Sequence, residues 1–267
     1  MTPRVLVMSG YGLNGEQEMK FGFTHCGADV DVVHINDLID GQVSLDDYQV
    51  LAIPGGFSYG DHTGGGKAYA NRITNNLGDT IHKFIKRDTL TFGICNGFQI
   101  LVQLGFLPAL DDNYGVRQAA LIHNTSQRYQ CEWIKMKVKE TNCVFTKGID
   151  TIDLPIGHGE GNFYMPDEQL DKLEAANQVV LTYCKEDGNP AGGEAPWNPN
   201  GAARDIGGVC DSTGRIFGLM PHPDRSLFFT NRPDWTKRKT QLLAEGKEVP
   251  SEGPGVKFYR NAVEYFG

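Results

Sequence analysis

Cys95 stands in Gly93-Ile94-Cys95-Asn96-Gly97, a Gly-x-nucleophile-x-Gly spacing with a thiol at its centre. An apolar run, Leu90 to Ile94, leads into it. A helical pattern follows, with Phe98, Leu101 and Leu104 on one face and Gly105 as its stop. Such an elbow holds the nucleophile on a sharp turn where neighbouring side chains would clash, hence the glycines. It also sets the sulfur at the positive end of a helix, and it puts the Asn96 N–H where an oxyanion would form. The same pattern fits a buried cysteine at a tight turn, so the chemistry needs a base. His222 is the candidate: Arg215 to Met220 reads as a buried strand that ends at Pro221-His222-Pro223-Asp224. Residues i and i+2 of extended backbone share a side, so the Asp224 carboxylate can orient the His222 ring and favour its cation. Nucleophile followed by histidine suits acyl transfer through a thioester.

The elements that position these groups alternate. Arg4 to Met8 reads as a buried strand stopping at Ser9-Gly10-Tyr11-Gly12, Glu16 to Cys26 as a helix, and Val30 to Ile35 and Val50 to Ile53 as strands. Asn71 to Arg87 has helical character and Leu90 to Ile94 is a fourth strand. Strand-helix alternation at this pitch predicts βαβ units, hence an α/β fold with a mostly parallel sheet covered on both faces. From about residue 117 the pattern turns β-rich, with Gln118–His123, Cys131–Val138, Thr151–Gly157 and Gln178–Cys184 as an extension. Asp187 to Ile206 reads as a long loop, Arg215 to Met220 as a strand, and Phe258 to Phe266 as a closing helix. With no repeat and no linker, one domain over residues 1–267 is expected.

A third motif follows the third strand: Ile53-Pro54-Gly55-Gly56-Phe57-Ser58-Tyr59-Gly60-Asp61. A loop at the carboxyl end of a parallel strand borders the ligand crevice, and a glycine N–H there suits the second oxyanion donor; a plain turn explains it equally well. Gly64-Gly65-Gly66-Lys67 lacks the Gly-x-x-x-x-Gly-Lys-Ser/Thr arrangement, so no nucleotide is assigned to it. The formal net charge of −8 argues against a general nucleic-acid binder. No apolar run approaches the ~20 residues that span a bilayer, and no leader pattern is seen, so no membrane association and a cytoplasmic location are expected. The six cysteines are scattered without metal-ligand spacing and read as reduced thiols, with no metal site.

Together the motifs resemble class I glutamine amidotransferases. Pro54 to Asp61, Asn124 to Trp133 (NTSQRYQCEW), Pro155 to Phe163 (PIGHGEGNF), Asn198-Pro199-Asn200-Gly201 and Met220 to Arg225 are similar to the branch that forms the glutaminase subunit of phosphoribosylformylglycinamidine synthase. The resemblance runs from about residue 4 to residue 230 and implies a flavodoxin-like sheet. It implies that Cys95 attacks the carboxamide of glutamine, that His222 carries the proton and that Asp224 orients His222. The N–H groups of Gly56 and Asn96 would hold the oxyanion and Gln99 would touch the substrate. His158 and Glu160 are candidates for the substrate α-amino group, although loop structure also explains their glycine-rich setting.

Ammonia would pass to a synthetase subunit, accompanied by a small accessory subunit. ATP and magnesium are expected only on that synthetase, and no cofactor in this chain. The family usually has Glu where this chain has Asp224, one methylene shorter. Arg128 is a candidate for the pocket or the partner, and Asn14 to Glu18 for the interface. Arg232 to Pro254 is longer than the usual tail, and reads as a surface flap, an interface element or a solvated insertion. Two other readings stay open: a free-standing cysteine hydrolase of the same fold, and a non-enzymatic elbow-Cys protein acting as a redox sensor.

Overall fold

The computed structural model describes residues 1–267. Along the chain run β1 (Arg4–Ser9), α1 (Glu16–His25), β2 (Asp29–His34), α2 (Ile35–Ile39), β3 (Val50–Ile53), α3 (Lys67–Lys86), β4 (Leu90–Ile94) and α4 (Asn96–Gln103). The β-rich part has β5 (Ala120–Ile122), β6 (Gln130–Val138), β7 (Thr151–His158), β8 (Asn162–Tyr164), α5 (Asp167–Ala175), β9 (Val179–Cys184), β10 (Ile206–Cys210) and β11 (Ile216–Leu219). Two helices, α6 (Trp235–Ala244) and α7 (Val256–Glu264), close the chain.

Nine strands form one sheet in the order β2-β1-β3-β4-β11-β10-β9-β6-β7. The first five are parallel, and their order is that of a flavodoxin-like fold, with the direction of winding reversed between β1 and β3. Every residue of β3, β4 and β11 is buried, as expected for parallel strands covered on both faces. Beyond β11 the sheet turns antiparallel through β10, β9, β6 and β7. One continuous core runs through both halves, with Phe92 of β4 stacked on Phe145 and Phe217 at centroid distances of 4.8 and 5.7 Å.

Several elements differ from the sequence reading. The 118–123 strand is not in the large sheet; β5 pairs with β8 in a separate two-stranded ribbon. α3 starts at Lys67, one turn before the expected Asn71, because Tyr69 and Ala70 extend its buried stripe of Ile73, Leu77, Ile81 and Phe84. β10 directly follows the expected loop and was hidden by Gly207 and Gly208. A Cβ on Gly207 would collide with the end of Met136, and one on Gly208 would stand 3.0 Å from the Gly218 carbonyl oxygen, so close packing replaced the usual strand residues. The 232–254 segment contains α6, which has no buried residue. It is pinned at its base by Arg232, which pairs with Asp153 of β7 at 3.0 Å and lies over the Trp133 ring.

Candidate active site

The ends of β3, β4 and β11 converge on Cys95. Its N–H donates to the Leu219 carbonyl at the end of β11 (2.8 Å), and its own carbonyl accepts from the Gln99 N–H (3.0 Å). Held from both sides, Cys95 adopts φ 52° and ψ −105°, a sparsely populated conformation that costs roughly 1–3 kcal/mol in a non-glycine residue. The flanking glycines permit it: a Cβ on Gly97 would run into the Ile53 carbonyl oxygen, and one on Gly93 would stand 2.6 Å from Leu101 Cδ1.

His222 lies fully buried, its N–H donating to the Pro155 carbonyl of β7 (2.8 Å). Its Nδ1 is 3.1 Å from Asp224 Oδ1, so the shorter carboxylate at this position still reaches the ring. The carboxylate fixes the Nδ1–H tautomer, and the buried Nε2 has no hydrogen-bond partner of its own. Burial alone would lower the His222 pKa, but the Asp224 carboxylate and the Cys95 sulfur outweigh it and raise it to about 9. A Cβ on Gly55 would stand 2.9 Å from the His222 ring and 3.7 Å from Cys95 Cβ, so the glycine loop lies directly against both groups.

Two backbone N–H groups, of Asn96 after the nucleophile and of Gly56 in the loop after β3, have no backbone acceptor among the hydrogen bonds. Asn96 is the first residue of α4, so its N–H has no intrahelical acceptor. Gly56 bridges Leu13 through Asn14 N–H to Gly55 O (3.0 Å) and Phe57 N–H to Gly12 O (2.8 Å), which leaves the Gly56 N–H outside that ladder. The arrangement offers a thiol, a base with a free nitrogen and two unspent donors, the parts that amide cleavage through a thioester requires.

The remaining expected site residues serve a polar belt around the nucleophile. Ser58 N–H donates to Asn96 Oδ1 (3.1 Å), Asn96 Nδ2 to Gln99 Oε1 (2.8 Å), and Gln99 Nε2 to the Glu160 carbonyl (2.8 Å). The belt closes where Gly65 N–H donates to Glu160 Oε2 (2.8 Å). Gln99 and Glu160 are therefore near Cys95 but internally engaged. His158 is also buried, and burial, aided by nearby His222, lowers its pKa to about 3. Its Nε2 accepts from Asn200 Nδ2 (3.1 Å), which also lies within bonding distance of the Gly161 carbonyl and the Tyr183 hydroxyl.

Sequence reasoning assigned no role to Asn200, Tyr183, Asn124 or Tyr129. Asn124 clamps the 158–161 loop, donating to the His158 carbonyl (2.9 Å) and accepting from Gly161 N–H (3.0 Å). Tyr129 stands at the mouth, half exposed, opposite Phe57. Both asparagines fall in the NTSQRY and NPNG segments, so a signal was present without a role. Arg128 is exposed at the surface, its carbonyl accepting from Asn124.

Known proteins resemble this chain in sequence and in fold. Residues 2–266 match the family described as the CobB/CobQ-like glutamine amidotransferase domain. The phosphoribosylformylglycinamidine synthase subunit PurQ of Methanococcus maripaludis (strain S2) is 49% identical over 267 residues, covering 100% of this chain and 98% of its own. The subunit of the same name from Dehalococcoides mccartyi is 38% identical over 264 residues, covering 98% and 97%. Among solved structures, a chain of PurLQS from Thermotoga maritima superposes with a TM-score of 0.71 at 28% identity, covering 100% of both chains. A glutamine amidotransferase from the same organism, 17% identical with a TM-score of 0.52, shares the fold. With its elbow, its sheet order and this full-length match, the chain belongs to the glutamine amidotransferase family.

Proposed function

We propose that this chain is the glutaminase subunit of a phosphoribosylformylglycinamidine synthase, hydrolysing glutamine and delivering ammonia to a synthetase subunit in de novo purine biosynthesis. Its relatives bear that subunit's name over their full length. The observation that carries the chemistry is His222, buried between Asp224 and Cys95 with Nε2 free.

In the proposed reaction His222 Nε2 takes the Cys95 thiol proton, and the sulfur attacks the carboxamide carbon of glutamine. Negative charge gathers on the former carbonyl oxygen, where the Gly56 and Asn96 N–H groups receive it; one such donor is worth about 10²–10³ in rate. His222 returns the proton to the leaving ammonia, and the C–N bond breaks to leave a glutamyl thioester. Water, deprotonated by His222, then cleaves the thioester to glutamate and frees the thiol. Asp224 keeps the ring in the required tautomer throughout.

This reading treats residues 1–267 as one glutamine amidotransferase domain in the cytoplasm, without a cofactor of its own. ATP and magnesium belong to the synthetase subunit, and a small accessory subunit completes the assembly. The test is ammonia release by the wild type and Cys95→Ala, with and without the cognate synthetase. Partner-stimulated release that vanishes in Cys95→Ala supports the proposal. Partner-independent release that needs Cys95 would mark a free-standing hydrolase, and release unaffected by Cys95→Ala would sink the mechanism.

A further inference from the structure

Asp224 has a second face. Its Oδ1 meets His222 and its Oδ2 accepts no hydrogen bond, and the nearly buried residue forms part of the wall of a groove of about 460 Å³ outside the crevice, between α1 and the segment 224–231. A Cβ on Gly15, at the start of α1, would stand 3.4 Å from that oxygen, so the groove begins directly behind the triad. Its walls are Phe21 and Phe228, with ring centroids 5.2 Å apart and exposures of 41% and 45%, and the buried Leu227 lines it. Phenyl rings paired and half exposed on a surface mark a contact site more than a solvated face.

The charge of the groove is one-sided. Glu18 lines it and forms no ion pair, and Asp224 is held only by His222. Arg225 also lines the groove, but its Nη1 lies towards the crevice, where a Cβ on Gly157 would meet it and the Tyr129 hydroxyl each at 2.8 Å. With Asp224 already paired to His222, Glu18 and two phenyl faces stand together with no cation of their own. A lysine or arginine flanked by apolar residues fits this combination, through ion pairing and through the ring faces. A protein that receives ammonia from Cys95 must dock beside the crevice, and this groove adjoins it.

We infer that the groove between α1 and residues 224–231 docks a lysine- or arginine-bearing apolar segment of the synthetase subunit. The inference rests on the glutaminase-subunit reading for the identity of the partner. It assigns α1, through Glu18 and Phe21, to the interface, and it places partner contact directly against the carboxylate that orients His222.

The experiment is reconstitution of the full chain with its cognate synthetase, measuring affinity by sedimentation at low and high salt for wild type, Glu18→Gln and Phe228→Ala. Glu18→Gln is expected to weaken the complex about tenfold at low salt and to flatten its salt dependence. Phe228→Ala is expected to weaken it at both salt concentrations with the slope unchanged. Alkylation of Cys95 by iodoacetamide in the isolated variants should match wild type, showing an intact elbow. Wild-type affinity and salt slope in Glu18→Gln would overturn the inference, as would a change in self-association in place of synthetase binding. Ammonia release that persists in Cys95→Ala while Glu18→Gln still weakens the complex would remove the glutaminase mechanism and leave the docking site standing.

Discussion

His222 and His158 lie in one crevice, each sealed from solvent, and are pushed in opposite directions. Burial drives His158 down to about 3, and its only partner, Asn200, is a neutral donor to Nε2. His222 is at least as buried, yet Asp224 and the Cys95 sulfur raise it to about 9. The parallel half of the sheet supplies Cys95 and Asn96 after β4, Gly56 after β3 and His222 after β11, with donors and a nitrogen left free. Beyond it, the antiparallel half and the NPNG segment supply His158, Tyr183 and Asn200, whose bonds are mostly to one another. Burial alone drives a histidine towards its neutral form; a carboxylate on one nitrogen and a sulfur nearby hold His222 towards its cation instead.

The contrast breaks hardest at His222. His222→Ala should cut ammonia release by roughly 10⁵-fold or more, since removing the base disables the nucleophile as a unit. Asp224→Asn keeps the shape but no longer selects the Nδ1–H tautomer or favours the cation, and a loss of about 10⁴-fold in kcat is expected. Asp224→Glu should stay within about tenfold of wild type, because the longer arm keeps the carboxylate beside the ring. Steady-state assays with the synthetase present separate these three.

Asn200→Ala attacks the other side of the comparison. It strips a donor from buried His158, Gly161 and Tyr183, and a loss of about 1–3 kcal/mol is expected in thermal or denaturant unfolding.

The same contrast can be read from pH. An unfolded histidine titrates near 6.5, so the stability from raised His222 is fully present below about pH 6.5 and is lost as pH rises through about 9. His158 acts in the opposite sense: between about pH 6.5 and 3 the unfolded chain takes a proton that the folded ring refuses, so stability falls on acidification. Melting temperature against pH should therefore fall on both sides of about 6.5. Cys95→Ala should shorten the alkaline limb only in part, because Asp224 is the larger influence raising His222, while leaving the acid limb in place.

What the sequence disclosed follows the range of the interactions. The elbow and the His-Pro-Asp turn are local: strand, glycines, thiol and helix lie in the single stretch from Leu90 to Gln103, and His222 and Asp224 are two apart. The parallel strands were equally plain as short buried runs. The polar belt was not, because its bonds join Ser58 to Asn96 and Gln99 to Glu160 across separate loops. Asn200 meets His158 across 42 residues, and nothing local to either marks the pairing. β10 was concealed by Gly207 and Gly208, and α5 and α6 lacked a buried stripe strong enough to stand out in a charged stretch.

The most direct measurement is covalent labelling of the wild-type chain by 6-diazo-5-oxo-L-norleucine, a reactive glutamine analogue, with the adduct located by peptide mass mapping. A single adduct on Cys95, formed more slowly when glutamine is present and absent from Cys95→Ala, is the predicted result. Labelling at exposed Cys131, or an adduct that survives Cys95→Ala, would contradict Cys95 as the nucleophile.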